Sequence, residues 1–385
     1  RGLSDELLNI KELQELGHHV SIVTADVAPY IVDMKKEIGK GKSLTFQEDK
    51  PTEIFGIPVY VLRCTIPQMG WYCPRANRLA KKIVANYDVI HIRNWYHHLA
   101  IVFYKAARQY GIPFVFTAHG TMDPVARKKY MRRTKWMIDN LYTKKMIRDA
   151  AALHSLGESE TKEFIRLGAE PQKIFRIDLG VLLKDFEIKE RTDILDRLGV
   201  NRENKPYLLF LGRINKKKGI ELLLESFARL NYQNLTLVIA GSGDKSYEQK
   251  IRQLVRHLGV ESSVKFAGSV FGNEKSQLLE SAKIFVLTSY SDIHPVAVEE
   301  ALAMGVPVLI TKNCDFPEVE EYDAGILVEP NVDSIYQGLA KMINDENKLL
   351  AFSKNAKKLV SEKFLFEGKV KKYEEMYRYA IEHSQ

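Results

Sequence analysis

The stretch "LFLGRINKKKGIELLLESF", Leu209–Phe227, decides how the chain is read. An apolar run stops at Gly212, a basic turn follows, and from Ile220 the apolar residues recur at helical spacing. This predicts a β-strand, a turn and an α-helix opened at Lys218-Gly219. Arg213 and Lys218 would then project from the carboxyl end of the strand and flank the helix N-terminus, where backbone amides and the helix dipole favour anions. A guanidinium with paired N–H groups and an ammonium together suit a diphosphate. The plainer alternative is a solvated basic turn, and Lys216 and Lys217 fit that description.

Outward from this unit the alternation continues. Downstream, "LTLVIAGSG", "VKFAGSV", "KIFVLTSY", "VPVLIT" and "AGILVEP" read as strands separated by amphipathic helices. Upstream, "HHVSIVTAD", "VYVLR", "YDVIHIR", "IPFVFTAHG" and "AALHSLG" read the same way, with Gly17 and Gly111 as helix C-caps. A chain of 385 residues exceeds one ordinary core. The order predicts an α/β protein of two Rossmann-like, doubly wound domains, 1–182 and 183–366, whose parallel sheets are covered on both faces. The second opens with the polar stretch Lys184 to Pro206. The last helix, about 367–385, is expected to pack back on the first domain. Ligands of such sheets bind at the carboxyl ends of the strands, so the expected site is a cleft across which the two domains face. The opening "RGLSDELLNIKELQELG" reads as a loop and helix, so the first strand of that domain is expected upstream of Arg1 or is missing.

A second constellation is "SYSDIHPVAVEEALAMGVPV", Ser289–Val308. Pro295 suits the first turn of a helix running Val296 to Ala303 and closed by Gly305. Asp292 lies in the loop before it, and Glu299 and Glu300 lie on the helix. A carboxylate accepts two hydroxyls well, so an acid here reads as a ribose or sugar holder. Equally, Asp292 reads as an N-cap and the two glutamates as a helix face.

Other signals are weaker. "GKGKS", Gly39–Ser43, lacks the strand and helix of a phosphate loop, and "AGSGDKS", Ala240–Ser246, ends in Ser246 where a dinucleotide fingerprint needs glycine. The pairs His18-His19 and His97-His98 lack an HExxH frame. Three cysteines, Cys64, Cys73 and Cys314, without CxxC spacing suit a reducing compartment better than a disulfide scaffold or a zinc site. Composition is globular, with 45% hydrophobic residues and no apolar run of spanning length. A net charge of +8 favours anionic partners. Nine Lys/Arg against two Asp concentrate between Arg127 and Asp149.

"GRINKKKG", "LVIAGSGD", "VKFAGSV" and "SYSDIHPVAVEEALAMGVPV", in this order, resemble the nucleotide-sugar domain of retaining glycosyltransferases of family 4, which have the GT-B fold. "LQELGHHVSIVT", "YDVIHIR", "TAHGTMDP" and "LHSLGESETKEF" resemble the N-terminal half of that family more loosely. The resemblance implies that Arg213 and Lys218 bind the donor diphosphate and stabilise the departing nucleoside diphosphate, with no required metal or other cofactor. It implies that Glu300 holds the ribose hydroxyls. Asp292 takes the place of the first glutamate of an E-x7-E pair, near the transferred sugar, and is shorter by about 1.5 Å. The amides of Ile293, His294, Pro295 and Val296 would meet sugar or phosphate, and His119 would face the reacting sugar. Gly212 and Gly241 belong to the donor turns, and Gly2 is what remains of a glycine-rich loop.

The function expected on this resemblance is retaining transfer of a hexosyl group from a nucleotide-diphosphate sugar to a glycan or lipid-linked acceptor. The alternatives are a soluble sugar or sugar-phosphate acceptor, or a catalytically silent nucleotide-sugar-binding subunit. The basic segment 127–149, with Tyr130 and Trp136, reads either as a soluble face or as a peripheral contact with an anionic membrane. The expected location is the cytoplasm, at the inner face of the membrane if that contact forms. No nucleic-acid recognition module is present, so nucleic acid is not an expected partner.

Overall fold

The structure, a computed structural model, describes residues 2–26, 47–48, 50–65, 72–94, 97–120, 142–200, 203, 205–232 and 234–384. The chain forms two compact units, Arg1–Ile177 with Gly368–Gln385, and Asp178–Glu367.

The first unit runs α1 (Gly2–Glu15), β1 (Ile22–Ala25), β2 (Thr52–Ile54), β3 (Ile57–Leu62), α2 (Ala76–Ile83), β4 (Ile90–Arg93), α3 (His98–Tyr110), β5 (Phe114–Thr117), α4 (Lys144–Asp149), β6 (Ala152–Ser155), α5 (Glu158–Arg166) and β7 (Ile174–Arg176). The strands β4-β5-β6-β7 form one parallel sheet. β5 and β6 are buried along their whole length, as expected of parallel strands covered on both faces. A second sheet has the order β1-β3-β2. Its antiparallel β2–β3 pair turns through Phe55 and Gly56, both at positive φ, 53° and 79°. That is the two-residue hairpin turn whose twist matches the strands, and "IFGI" lacks the Asn-Gly signal that would announce it. Between β1 and β4 lies a cavity of about 960 Å³ lined by residues such as Leu13, Ile22, Ile90, Ile92 and Phe103.

The second unit runs α6 (Ile194–Leu198), β8 (Tyr207–Leu211), α7 (Ile220–Leu230), β9 (Thr236–Ala240), α8 (Lys245–His257), β10 (Val264–Gly268), α9 (Gly272–Ser281), β11 (Ile284–Leu287), α10 (Val296–Ala303), β12 (Val308–Thr311), α11 (Glu318–Glu321), β13 (Gly325–Val328), α12 (Val332–Ile343) and α13 (Glu346–Leu359). All six strands pair in parallel in the order β10-β9-β8-β11-β12-β13. This is the doubly wound order, and the chain reverses its direction of travel between β8 and β11, which makes their carboxyl ends the crevice where ligands bind.

α14 (Lys369–Glu382) returns to the first unit. Tyr373, Met376 and Ala380, spaced for one helix face, are buried with Val115, Ala152 and Ile177. The phenol of Tyr377 hydrogen-bonds His91 Nδ1 at 2.8 Å. Among the described residues no helix is long and apolar enough to cross a membrane. Of the basic segment, 127–141 lie outside the described residues; α4 is part of the remainder, with Met146 and Ile147 buried and Lys144 and Lys145 exposed.

If α14 is fixed to the sheet by this face, Met376→Ala is expected to lower the stability of the first unit by about 3 kcal/mol, read from urea unfolding. A change below about 0.5 kcal/mol would show that the helix does not carry that load.

Candidate active site

The crevice of the second unit is built from two strand exits that lie against each other. After β8 come Gly212 and the exposed Arg213, then a 3₁₀ turn over Lys216–Lys218, and Gly219 at φ 60° starts α7. A Cβ on Gly219 would stand 2.2 Å from Thr288 O, so only glycine fits there. Thr288 Oγ1, just past β11, donates to Gly219 O at 2.8 Å, and Tyr290 N donates to Lys217 O at 2.8 Å. On the other side Gly212 N donates to Ala240 O, and a Cβ on Gly241 would stand 1.9 Å from Gly212 O. Gly241 therefore has a packing reason to be glycine. Gly212 does not, since a Cβ there would make only ordinary contacts with Phe210 and Lys218.

These loops bring Lys218 to Asp292. Lys218 Nζ donates to Asp292 Oδ2 at 2.5 Å, and Ser289 Oγ donates to the same oxygen at 3.2 Å. The Asp292 loop is held from behind, because Asp292 N donates to Asn313 O at 2.8 Å and Asn313 Nδ2 to Tyr290 O at 2.8 Å. Arg213, by contrast, makes no ion pair among the described residues.

Pro295 caps α10, and Gly305, at φ 71°, follows it. The two adjacent glutamates face different cations. Glu300 is 4% exposed, and Lys275 Nζ of α9 donates to its Oε1 at 3.0 Å. Glu299 is fully buried and meets His294 Nε2 at 2.6 Å. The His294 ring turns inward and stacks on Phe316 at 4.3 Å, so His294 can face a ligand only through its backbone. Among the described residues, one group brings three metal-type ligand atoms within 4.8 Å, those of Asp178, His294 and Glu299. The Nε2–Oε1 hydrogen bond already engages two of its members with each other.

In the first unit His119 follows β5 at φ 50°. Burial, then the charge of Arg93 and the neighbouring His154, push its pKa well below the usual histidine range, so it is a neutral imidazole. The turn after it is pinned by Glu160, a buried acid at the start of α5 that accepts from Gly120 N at 2.6 Å and Leu156 N at 3.0 Å. Behind it, Thr117 Oγ1 links His91 Nε2 at 2.6 Å to His154 Nδ1 at 2.9 Å. Gly2, expected in a loop, is instead the first residue of α1, because the helical pattern extends back to it.

Residues 9–184 match the family profile described as "Glycosyltransferase Family 4", and 193–359 that of "Glycosyl transferases group 1". The chain belongs to these glycosyltransferases. It is 29% identical over 343 residues to an uncharacterised glycosyltransferase of Methanocaldococcus jannaschii, covering 86% of each chain. It is 25% identical to N-acetyl-alpha-D-glucosaminyl L-malate synthase of Bacillus anthracis, over 95% of this chain and 91% of the synthase. The solved structure of Anabaena HepE in complex with UDP-glucose superposes with a TM-score of 0.73 at 19% identity, over 96% of this chain and 94% of HepE. The enzyme thus has the GT-B fold.

Sequence reasoning passed over Lys275, Glu160 and Thr288. Lys275 had no visible signal in "GNEKSQLLESA", whereas Glu160 sits in the quoted "GESETKEF". Lys275→Ala removes the ammonium that faces the buried Glu300 and is expected to lower stability by about 3 kcal/mol. Lys275→Ala/Glu300→Gln should recover most of that loss in urea unfolding. An unchanged single variant would show that the pair does not hold Glu300.

Proposed function

We propose that the glycosyltransferase moves a hexosyl group from a nucleotide-diphosphate sugar to an acceptor hydroxyl with retention of configuration. The observation that carries this is the exposed Arg213 just past β8 and the Asp292-paired Lys218 just before α7, two cations on the one segment that leaves the switch-point strand. Breaking the sugar–phosphate bond puts negative charge on the departing diphosphate. Cations fixed at that place lower the barrier without reorganising. Glu300, held in place by Lys275, would take the ribose hydroxyls. His119, neutral and on the acceptor's side in this reading, would donate to or accept from a sugar hydroxyl.

Retention follows from a same-face displacement. The sugar C1–O(phosphate) bond breaks as the C1–O(acceptor) bond forms, and the acceptor proton passes to a leaving phosphate oxygen. Asp292 is engaged with Lys218 and Ser289, which supports a positioning use of this carboxylate over attack on the sugar. The clamp supplies the positive charge, so no metal is required in this reading.

For the acceptor, likeness to N-acetyl-alpha-D-glucosaminyl L-malate synthase along 95% of the chain favours a small soluble hydroxyl compound over a lipid-linked one. The UDP-glucose complex of HepE makes UDP sugars the first donors to screen.

With a competent donor, Arg213→Ala and Lys218→Ala are each expected to lower kcat by roughly 10²–10³-fold. Wild-type rates in both variants would remove the clamp. Chelator should leave turnover unchanged, and NMR of the product should show the donor's anomeric configuration. Transfer to soluble hydroxy acids or sugar phosphates without lipid or detergent tests the acceptor class.

A further inference from the structure

The buried imidazole of His294 has no counterpart in the clamp chemistry. It sits in the loop between β11 and α10, two residues after Asp292, with its backbone at φ 46°, a conformation non-glycine residues seldom adopt. Its ring is enclosed by Phe316, stacked at 4.3 Å and 11°, and by Phe364, edge-on at 5.2 Å. A phenylalanine would fill the same space with no charge to satisfy. Instead Nε2 meets Glu299 Oε1 at 2.6 Å, with side chains 1% and 0% exposed. Carboxylates face the ring from three elements: Glu299 from α10, Asp178 from the segment that opens the unit, and Glu318 from α11. A pair buried this completely contributes little net stability compared with apolar residues of the same shape, but it penalises every arrangement that separates its members.

We propose that the His294–Glu299 pair is the positioning device of the donor loop, fixing Asp292–Pro295 in the conformation that presents Asp292 to Lys218. This rests on the donor reading of the crevice. His294 is a positioning residue: it acts through the loop and touches neither sugar nor phosphate with its side chain.

The electrostatics agree with the geometry. Burial alone would lower the pKa of His294, but the Glu299 charge and hydrogen bond, with Asp178 and Glu318 behind them, outweigh it and hold the value above the ordinary 6.5. A group whose folded-state pKa is raised contributes stability fully below its unfolded value and loses it as pH climbs through the folded value. Stability and loop order should therefore both decline on the alkaline side of 6.5.

The test compares wild type, His294→Phe and His294→Phe/Glu299→Leu, with donor KM and kcat from pH 6 to 10, melting temperature over the same range, and amide hydrogen exchange of the 289–300 segment at fixed pH. In wild type, donor KM should rise several-fold with alkaline pH while kcat changes less. His294→Phe alone should melt lower and raise donor KM about tenfold. The double variant should regain the wild-type melting temperature yet keep a raised, pH-independent KM and a less protected loop. Wild-type KM, pH profile and exchange in the double variant would overturn the proposal, as would a stoichiometric metal ion bound to the purified protein at these residues. If wild type turns over no nucleotide sugar, the transfer reading fails, and exchange of the 289–300 segment still decides the positioning role.

Discussion

Two neighbouring carboxylates, Glu299 and Glu300, are both buried on α10, and each is met by a basic partner of its own. An ionised carboxylate taken out of water costs several kcal/mol unless a close partner compensates it. α10 places them about 100° apart around its axis, so one side chain faces the core and the other the crevice. The core side is met by His294 from the preceding loop, the crevice side by Lys275 from α9. These partners tie α10 to two separate elements and set where its N-terminus points.

The strand exits meet one another by close backbone approach. Gly219 and Gly241 allow carbonyls to approach where a Cβ would overlap Thr288 O or Gly212 O. Without those approaches the β8 exit would stand off from the β9 and β11 exits, and Lys218 would not reach Asp292. The charged residues therefore depend on glycines that carry no chemistry, and the crevice is as much a consequence of chain packing as of its cations.

Much of this was legible in the sequence. "LFLGR…KKKG" predicted a strand, a turn and a helix, found as β8, the 3₁₀ turn and α7, and the helix over Val296–Ala303 has the bounds its proline and glycine implied. Periodicity carries such elements because burial enforces it. The β2–β3 hairpin and β7 were not legible. One turns on a phenylalanine in a left-handed conformation, and the other is three residues long and only partly buried. Within the site, the division between Glu299 and Glu300 follows from helical geometry, whereas their partners do not. Lys275 lies 25 residues upstream on another helix and is brought in by tertiary packing that no local pattern encodes. His294 was read as a loop residue with useful amides, and its inward ring became visible only with Phe316 and Phe364 in place.

Asp292 shows how a short side chain and a tight loop settle one question together. A glutamate at this position would extend about 1.5 Å further toward Lys218. The aspartate reaches it, and Oδ2 takes both the ammonium and the Ser289 hydroxyl. On the proposed function, Oδ1 would be the oxygen that meets a sugar hydroxyl. The Lys218 charge would then be shared between Asp292 and the diphosphate, while Arg213 has no ion pair among the described residues. In that reading, as negative charge grew on the leaving group, the ammonium would lean toward it without leaving Asp292, and the guanidinium would supply the undivided charge. Such a division would stabilise the departing diphosphate more than the intact donor, which is the difference by which the proposed clamp would accelerate transfer.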